Sequence, residues 1–434
     1  MIVRPFTSGE IETYLGESIQ AGYIVHYLSE LGAKTIVVEE KYIDKDYLID
    51  YSKFYSRSFE SHPRFTKRIH FFTGDFTETD LKRAFLEKDG LKHFQEICEK
   101  YLGFSIVKPI TDSMGNPLIG RTLLSTYPPE DNSDKRIFIS QKYPVSLYGV
   151  PLTIDSLPFQ AQDQGVSACA TIALWSALHP LHSSFETPRH SPVEITEISS
   201  LIPSKERNFP SEGLNLNQIT SYIKSIGLDI ETLKAESDVI PVAVKAYINA
   251  KLPILATLEL KRAGKESGYH AAVISGYRCN ENNELLELYV HDDQIGPYSR
   301  VISNNNFISW NNEWKTTYGQ DEVILKNLII PVYPKIRLTF GRIHSVFLRK
   351  KQDIEKEGYI AELFLTQVNE YKKTLLNLAF EEKERILTSP MPRFIWIIRA
   401  HINNIPIFDE VYDGTSVYPK KVQDIDTIEY QLSE

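Results

Sequence analysis

The chain is poor in the features that mark secreted, membrane-spanning and metal-clustered proteins. Its 434 residues include three cysteines, Cys98, Cys169 and Cys279. The number is odd, the spacing is wide and no CxxC pair occurs, which argues against a disulfide framework and against a zinc site. No apolar run approaches the ~18 residues that a membrane span needs, and the N-terminus lacks the pattern of a signal peptide. We therefore expect reduced thiols, a cytoplasmic location and no membrane partner.

Basic residues are also fewer than acidic ones, with 48 Lys and Arg against 57 Asp and Glu. The formal net charge is -9, with a hydrophobic fraction of 42% and a charged fraction of 24%. A negative chain without a basic face repels polyphosphate, so nucleic acid is not an expected partner. The composition is that of a globular protein, and the length predicts more than one domain.

Strand and helix patterns divide the chain into three predicted domains. Residues 1–145 are predicted to form an α/β domain of unknown role, with strands in GAKTIVVEE and RIHFFTGDF and one or two helices in DLKRAFLEKDGLKHFQEICEKYLG. The turn-rich STYPPEDNSDKR leads toward residues 146–330, which begin in a β-rich stretch. Residues 331–434 are predicted to contain a charged helix in QDIEKEGYIAELFLTQVNEYKKTLLNLAFEEKERIL and a hairpin in RFIWIIRAHINNIPIFDEVYDG. The aromatic, basic stretch YSKFYSRSF predicts a half-exposed helix that packs its rings inward, and we assign it no functional role.

The stretch QDQGVSACATIALWSALHP places a cysteine at the start of an apolar helix. Ser167 is a predicted N-cap, and Pro180 is predicted to end the helix, whose composition indicates a buried element. A cysteine in the first turn faces the positive end of the helix dipole, which favours a thiolate. Cys169 is thus either a nucleophile or a small apolar residue packed in a helix.

A second stretch, SGYHAAVISGYRCNENNELLELYVHDD, predicts two strands joined by a polar turn. The midpoint of His270 and Asp292 falls in the NENN turn, so in a simple hairpin the two residues would face each other across the ladder. An imidazole oriented by a carboxylate is what nucleophilic catalysis requires. A register change of one residue would select Asp293 instead. The HDD stretch also fits a solvated loop, or a weakly supported metal site in which His291 joins the two aspartates.

Three stretches together resemble papain-like cysteine peptidases, and within them the bacterial C39-like branch that processes bacteriocin leaders. QDQGVSACATIALW resembles the nucleophile motif, HAAVISGY the histidine strand, and YVHDD the strand end that carries an Asn or Asp. The intervening EGLNLNQITSYIKSIGL and VAVKAYINAKLPILATLEL resemble elements of the C39-like branch, and the order Cys, His, Asp is that of the group. The resemblance covers roughly residues 146 to 330. It implies an α+β fold, in which a central helix carrying the cysteine packs on an antiparallel sheet, with N-terminal α/β and C-terminal α+β additions.

Carried over residue by residue, the resemblance implies a role for each motif residue. Cys169 is the expected nucleophile, His270 the general base and acid, and Asp292 the residue that orients the imidazole. Gln164 is the expected oxyanion-hole donor, although its interval to Cys169 is one residue shorter than the usual family spacing. Gln162, one residue too far, is the alternative.

The implied reaction is cleavage of a peptide or isopeptide amide through an acyl-enzyme. The same residues would serve a transglutaminase-type or deamidating acyl transferase. An inactive papain-like binding or scaffold protein is a third alternative, favoured by the off-spaced glutamine. We expect a protein or peptide substrate, no cofactor and no metal, and flanking domains that select the substrate or a partner protein.

Overall fold

The computed structural model describes residues 1–98, 101–129, 134–163, 165, 168–202, 213–302, 305–378, 380, 382–403 and 405–426. This part of the chain is a mixed α/β structure built on antiparallel sheets, as expected from the sequence at that level of detail. None of its helices combines the length and the apolar character that crossing a membrane requires.

The first sheet has its strands in sequential order, each antiparallel to the next. The two predicted strands are confirmed, and the predicted helical stretch is broken into two helices, the second of which begins at Gly90. Thr77 and Asp80 form a capping box that fixes the start of the first of these helices. The elements are β1 (Ile2–Pro5), α1 (Ser8–Leu15), α2 (Ile19–Glu30), β2 (Thr35–Tyr42), α3 (Lys45–Lys53), β3 (Thr66–Phe72), α4 (Glu78–Leu86), α5 (Gly90–Cys98), β4 (Tyr101–Thr111) and β5 (Pro117–Leu124).

The second sheet carries the candidate site. Its strand order is β13-β12-β11-β10-β14-β9, with β6 paired to β11, and α6 packs against β11 in the largest hydrophobic cluster. The elements are β6 (Lys135–Phe138), β7 (Gln141–Leu147), β8 (Val150–Ser156), α6 (Cys169–Phe185), α7 (Pro192–Ser199), α8 (Leu216–Ser225), β9 (Asp229–Lys234), α9 (Ile240–Asn249), β10 (Ile254–Arg262), β11 (Lys265–Cys279), β12 (Leu285–Asp292), β13 (Gly296–Val301), α10 (Glu313–Thr316) and β14 (Glu322–Val332).

Helix α6 is buried, as its apolar composition predicted, but its predicted end was wrong. Every residue from Ala170 to Leu181 is buried, and the helix continues through Pro180 to Phe185. Proline removes one backbone hydrogen bond and normally kinks a helix. Here the residues on both sides of Pro180 are buried against the sheet, so tertiary packing holds the helix together despite the lost bond.

The hairpin of β11 and β12 is confirmed, but its register differs from the prediction. Val273 pairs with His291 and Ile274 with Val290, so His270 and Asp292 are offset by two residues and do not face each other directly. The shift comes from the turn, because Cys279 pairs with Leu285 and the hairpin is therefore centred on residue 282 rather than on 281. The bulges at Ser275 in β11 and at Leu286 in β12 displace the register in opposite directions and cancel. An offset of two keeps both side chains on one face of the sheet, within diagonal reach of each other.

The chain crosses between the first two sheets more than once. Strand β6 joins the second sheet, whereas the β7–β8 hairpin packs on the first, where Leu147 and Ile154 share a hydrophobic cluster with Phe104. The boundary predicted near residue 145 falls inside this hairpin. The division into three domains therefore stays a proposal.

The third sheet follows the order β15-β16-β17-β18. The predicted hairpin is confirmed as β16 and β17, but the single charged helix was wrong, because a strand interrupts it. Gly358 adopts a left-handed conformation, with φ of 86°, and the chain then pairs with β16. The elements are α11 (Phe340–Lys356), β15 (Ile360–Gln367), α12 (Val368–Leu376), α13 (Lys383–Thr388), β16 (Phe394–Ile402), β17 (Ile405–Asp413) and β18 (Lys421–Asp426).

Candidate active site

Cys169 is the first residue of α6 and is half-buried. The N-cap position falls on Ala168, whose side chain caps nothing, while the predicted cap Ser167 lies outside the described residues. The backbone N–H groups of the first turn are free of that cap, and they form the positive end of the helix dipole near Cys169. The Cys169 side chain interacts with His270 and contributes to raising the pKa of the imidazole.

His270 lies at the site with its side chain buried. Its Nε2 is 3.0 Å from Asp292 Oδ1 and 3.7 Å from Asp293 Oδ1, which leaves Nδ1 for the thiol. The Nε2–H bond of His270 does not point at either oxygen. The contact with Asp292 is therefore an ion pair rather than a linear hydrogen bond. Burial alone would lower the pKa of His270, but the charge and contact of Asp292, with a smaller effect of Cys169, raise it well above its ordinary value.

Asp292 is held by groups other than the histidine. Its Oδ2 accepts the indole N–H of Trp314 at 2.8 Å, and its Oδ1 accepts the backbone N–H of Gln294 at 3.0 Å. The indole also lies against the imidazole, with ring centroids 4.7 Å apart. These contacts fix the carboxylate beside His270 and shield the pair from water.

Asp293 has a different environment. Neither of its carboxylate oxygens has a hydrogen-bond partner among the described residues. Burial, opposed by His270 and reinforced by Asp292, raises the pKa of Asp293 to about 7. Of the two aspartates left open by the sequence, Asp292 is the one with the shorter contact and the supporting hydrogen bonds.

The same three groups are also the ones that could hold a cation. Ligand atoms of His270, Asp292 and Asp293 lie within 4.8 Å of one another. His291, the third member of the metal site considered from the sequence, is not part of this cluster. Its Nδ1 lies 3.3 Å from the carbonyl of Pro158, and burial lowers its pKa to about 3, as expected for a neutral core histidine.

The turn before Cys169 is anchored through Asp163. Tyr55 donates to both carboxylate oxygens, at 2.5 and 2.6 Å, and Gly165 donates its backbone N–H at 3.1 Å. Lys108 Nζ lies 3.7 Å from the same carboxylate. Gln162 is half-buried beside this anchor, whereas Gln164, the favoured oxyanion donor, lies outside the described residues.

The other cysteines lie away from this arrangement. Cys279 ends β11 in the core, where burial raises the pKa of its thiol. Cys98 ends α5, and its side chain is outside the described part of the structure.

Several residues at the site were not found from the sequence. Trp314 and Gln294 support Asp292, while Tyr55 and Lys108 support Asp163. Gln20 donates from α2 to the backbone carbonyl of Asp293 at 3.1 Å. The only local signal was the aromatic YSKFYSRSF stretch, which contains Tyr55 and was assigned no role.

Comparisons with known proteins add little. No protein-family model matches the chain, and no curated protein matches it. Among solved structures, the peptidase domain of Streptococcus ComA, described as a bifunctional ABC transporter involved in a quorum-sensing pathway, is similar at 15% sequence identity with a TM-score of 0.24. This similarity covers 38% of the present chain and 96% of that domain. A TM-score of 0.24 does not establish a shared fold.

Proposed function

We propose that the protein is a papain-like cysteine peptidase or isopeptidase. In this proposal Cys169 is the nucleophile, His270 the general base and acid, and Asp292 the residue that orients and charges the imidazole. A glutamine of the preceding turn, Gln164 or the alternative Gln162, completes the oxyanion hole with the backbone N–H of Cys169. The substrate is a protein or peptide amide.

The observation that supports this proposal most is the convergence of three distant segments. A half-exposed thiol at a helix N-terminus contacts an imidazole, and the imidazole contacts a carboxylate that has its own hydrogen-bond donors. A structural cysteine requires no such partner, and a structural histidine in the core is usually neutral. The raised pKa of His270 instead favours an imidazolium, which is the partner that a cysteine nucleophile requires.

The chemistry follows from these positions. The Cys169 thiolate attacks the amide carbonyl carbon, forming a C–S bond and an oxyanion that backbone and glutamine N–H groups stabilise. The intermediate collapses with cleavage of the C–N bond, and the His270 imidazolium gives its proton to the departing amine. Water then attacks the thioester as His270 takes a proton from it. Cleavage of the C–S bond releases the acid and regenerates the thiolate and the imidazolium.

The test is alkylation of the full-length protein with iodoacetamide from pH 5 to 9, followed residue by residue by mass spectrometry. We expect modification at Cys169 near neutral pH to exceed that at Cys279 by at least about tenfold. His270→Ala should slow the reaction at Cys169, because the imidazolium that stabilises the thiolate is lost.

Cys279→Ser is the matched control and should leave the rate at Cys169 unchanged. Cys169→Ser should abolish cleavage of a quenched-fluorescence peptide library. Equal alkylation of both cysteines, together with no effect of His270→Ala, would contradict the proposal and favour the inactive scaffold.

A further inference from the structure

A cleft of about 660 Å³ lies beside the candidate site. Its inner wall is formed by Gln162 and Gly165, which precede the nucleophile, and by Gln294 and Tyr318, which flank the Asp292 segment. Its outer wall belongs to the first sheet and its helices. The cleft therefore runs between the candidate catalytic machinery and the N-terminal region.

Two aromatic rings connect the inner wall of the cleft to the imidazole. Tyr318 stacks on Trp314 with 4.6 Å between ring centroids, and Trp314 lies in turn against His270. In the proposed reaction the departing amine takes its proton from the imidazole, so the leaving part of the substrate lies on this side. The cleft is thus placed to hold the leaving segment.

The outer wall is acidic. Glu17 and Asp112 line it, and no lysine, arginine or histidine is found among the described lining residues. The Asp112 carboxylate accepts N–H groups of Met114 and Asn116 at 2.8 and 2.9 Å. These bonds outweigh its partial burial and lower its pKa, so the charge persists at neutral pH. The acidic residue of the inner wall, Asp163, is already paired with Lys108.

The two parts of the outer wall are fixed to each other. The backbone N–H of Glu17 donates to Asn116 Oδ1 at 3.0 Å, which ties the turn after α1 to the β4–β5 hairpin. Gly16 has φ of 75°, and a Cβ there would meet Pro117 Cδ at 2.7 Å. Because only glycine suits this close approach, the acidic rim is pre-formed rather than assembled on binding.

Apolar groups also line the cleft, among them Ile19, Leu118 and Ile119. A lining that combines apolar groups with carboxylates suits the long apolar stem and charged head of a lysine or an arginine.

We propose that this cleft binds the leaving-group segment of the substrate and selects a segment that carries lysine or arginine. The inference rests on the proposed function for the direction of the substrate, and it adds the substrate class. Glu17 and Asp112 are the specificity-determining residues in this scheme.

The test measures binding with full-length Cys169→Ser, so that no turnover occurs. Fluorescein-labelled peptides of the sequence Gly-Lys-Gly-Lys-Gly, with Glu or Ser replacing Lys in two matched peptides, are titrated by fluorescence anisotropy at low ionic strength. We expect the lysine peptide to bind most tightly. Glu17→Lys should weaken its binding by about fivefold, and Asp112→Asn, which keeps the turn acceptor, by about threefold.

Glu12→Lys is the charge-matched control, because Glu12 is exposed on helix α1, shortly before Glu17, but does not line the cleft. It should change the affinity by less than about twofold. Equal effects of Glu12→Lys and Glu17→Lys, no preference among the peptides, or no detectable binding would each overturn the inference. Alkylation at Cys169 reports on the proposed function separately, since peptide binding is measured without the thiol.

Discussion

Trp314 donates its indole N–H to Asp292 Oδ2 at 2.8 Å and packs its ring face against His270. One buried side chain therefore fixes both the carboxylate and the imidazole. Its removal should act on the chemistry at Cys169, although it does not touch the sulfur in this scheme.

Trp314→Phe keeps an aromatic ring beside His270 but removes the N–H donor. We expect alkylation of Cys169 at pH 7 to slow by about tenfold, because a hydrogen bond to a charged group contributes roughly 1.5–3 kcal/mol. Trp310→Phe is a matched control, since it removes a buried indole N–H that is bonded to the carbonyl of Phe307. The role assigned to Trp314 is wrong if both variants slow alkylation equally.

Asp292→Asn should lower the pKa of His270 below its ordinary value. Burial lowers that pKa, and Asp292 is the main group that raises it. A histidine whose pKa is raised on folding stabilises the folded state. This stabilisation is complete below the unfolded pKa of about 6.5, and it is lost as the pH rises through the folded pKa. The variant should therefore lose most stability near pH 6 and less at high pH. Titration of the His270 Cε1–H resonance by NMR measures the shift, and an unchanged midpoint would remove Asp292 from its assigned role.

Asp293→Asn should have the opposite effect on stability. With its pKa raised to about 7, the native carboxyl holds a proton that the unfolded chain releases near pH 4. Stability is therefore lost as pH rises from about 4 to about 7, by up to about 1.4 kcal/mol for each pH unit of that interval. The amide removes this penalty, so the melting temperature should rise relative to the native protein at pH 8 and change little at pH 4. Exposed Asp75→Asn serves as the control, and equal responses of the two variants would contradict the prediction.

Tyr55→Phe tests whether the N-terminal region positions the turn before the nucleophile. The change removes both hydrogen bonds to Asp163. We expect a peptide aldehyde, whose hemithioacetal oxygen occupies the oxyanion hole, to bind about tenfold more weakly. Alkylation by iodoacetamide, which forms no oxyanion, should keep its rate. Tyr47→Phe, which loses a hydrogen bond to the carbonyl of Pro63, should alter neither measurement.

The sequence was sufficient for the parts of the site that depend on local pattern. The apolar run after Cys169 predicts a buried helix, and the two strand-forming stretches around the NENN turn predict the hairpin that carries His270 and Asp292. Both are present because continuous apolar runs are stable only when they are buried. Their two-residue offset was not predictable, because it depends on which residues the turn takes up, and the NENN stretch does not fix that choice.

The residues that surround the motif could not be predicted in the same way. Trp314 reaches Asp292 from a short helix beyond β13. Lys108 reaches Asp163 from β4 of the first sheet, and Tyr55 reaches it from the segment after α3. Such contacts depend on how the first and second sheets and their helices pack together, and no spacing along the chain predicts them. The continuation of α6 through Pro180 has the same origin, since packing outweighs a local breaking signal.

The route of the chain between the sheets has a practical consequence for dividing the protein. Strand β6 enters the second sheet before the β7–β8 hairpin returns to the first, and α6 then crosses back. The two layers are therefore interleaved rather than strung in series. A cut near residue 145 would separate β7 from β8 and remove β6 from the sheet that carries His270. The first two regions should therefore be expressed together as one unit.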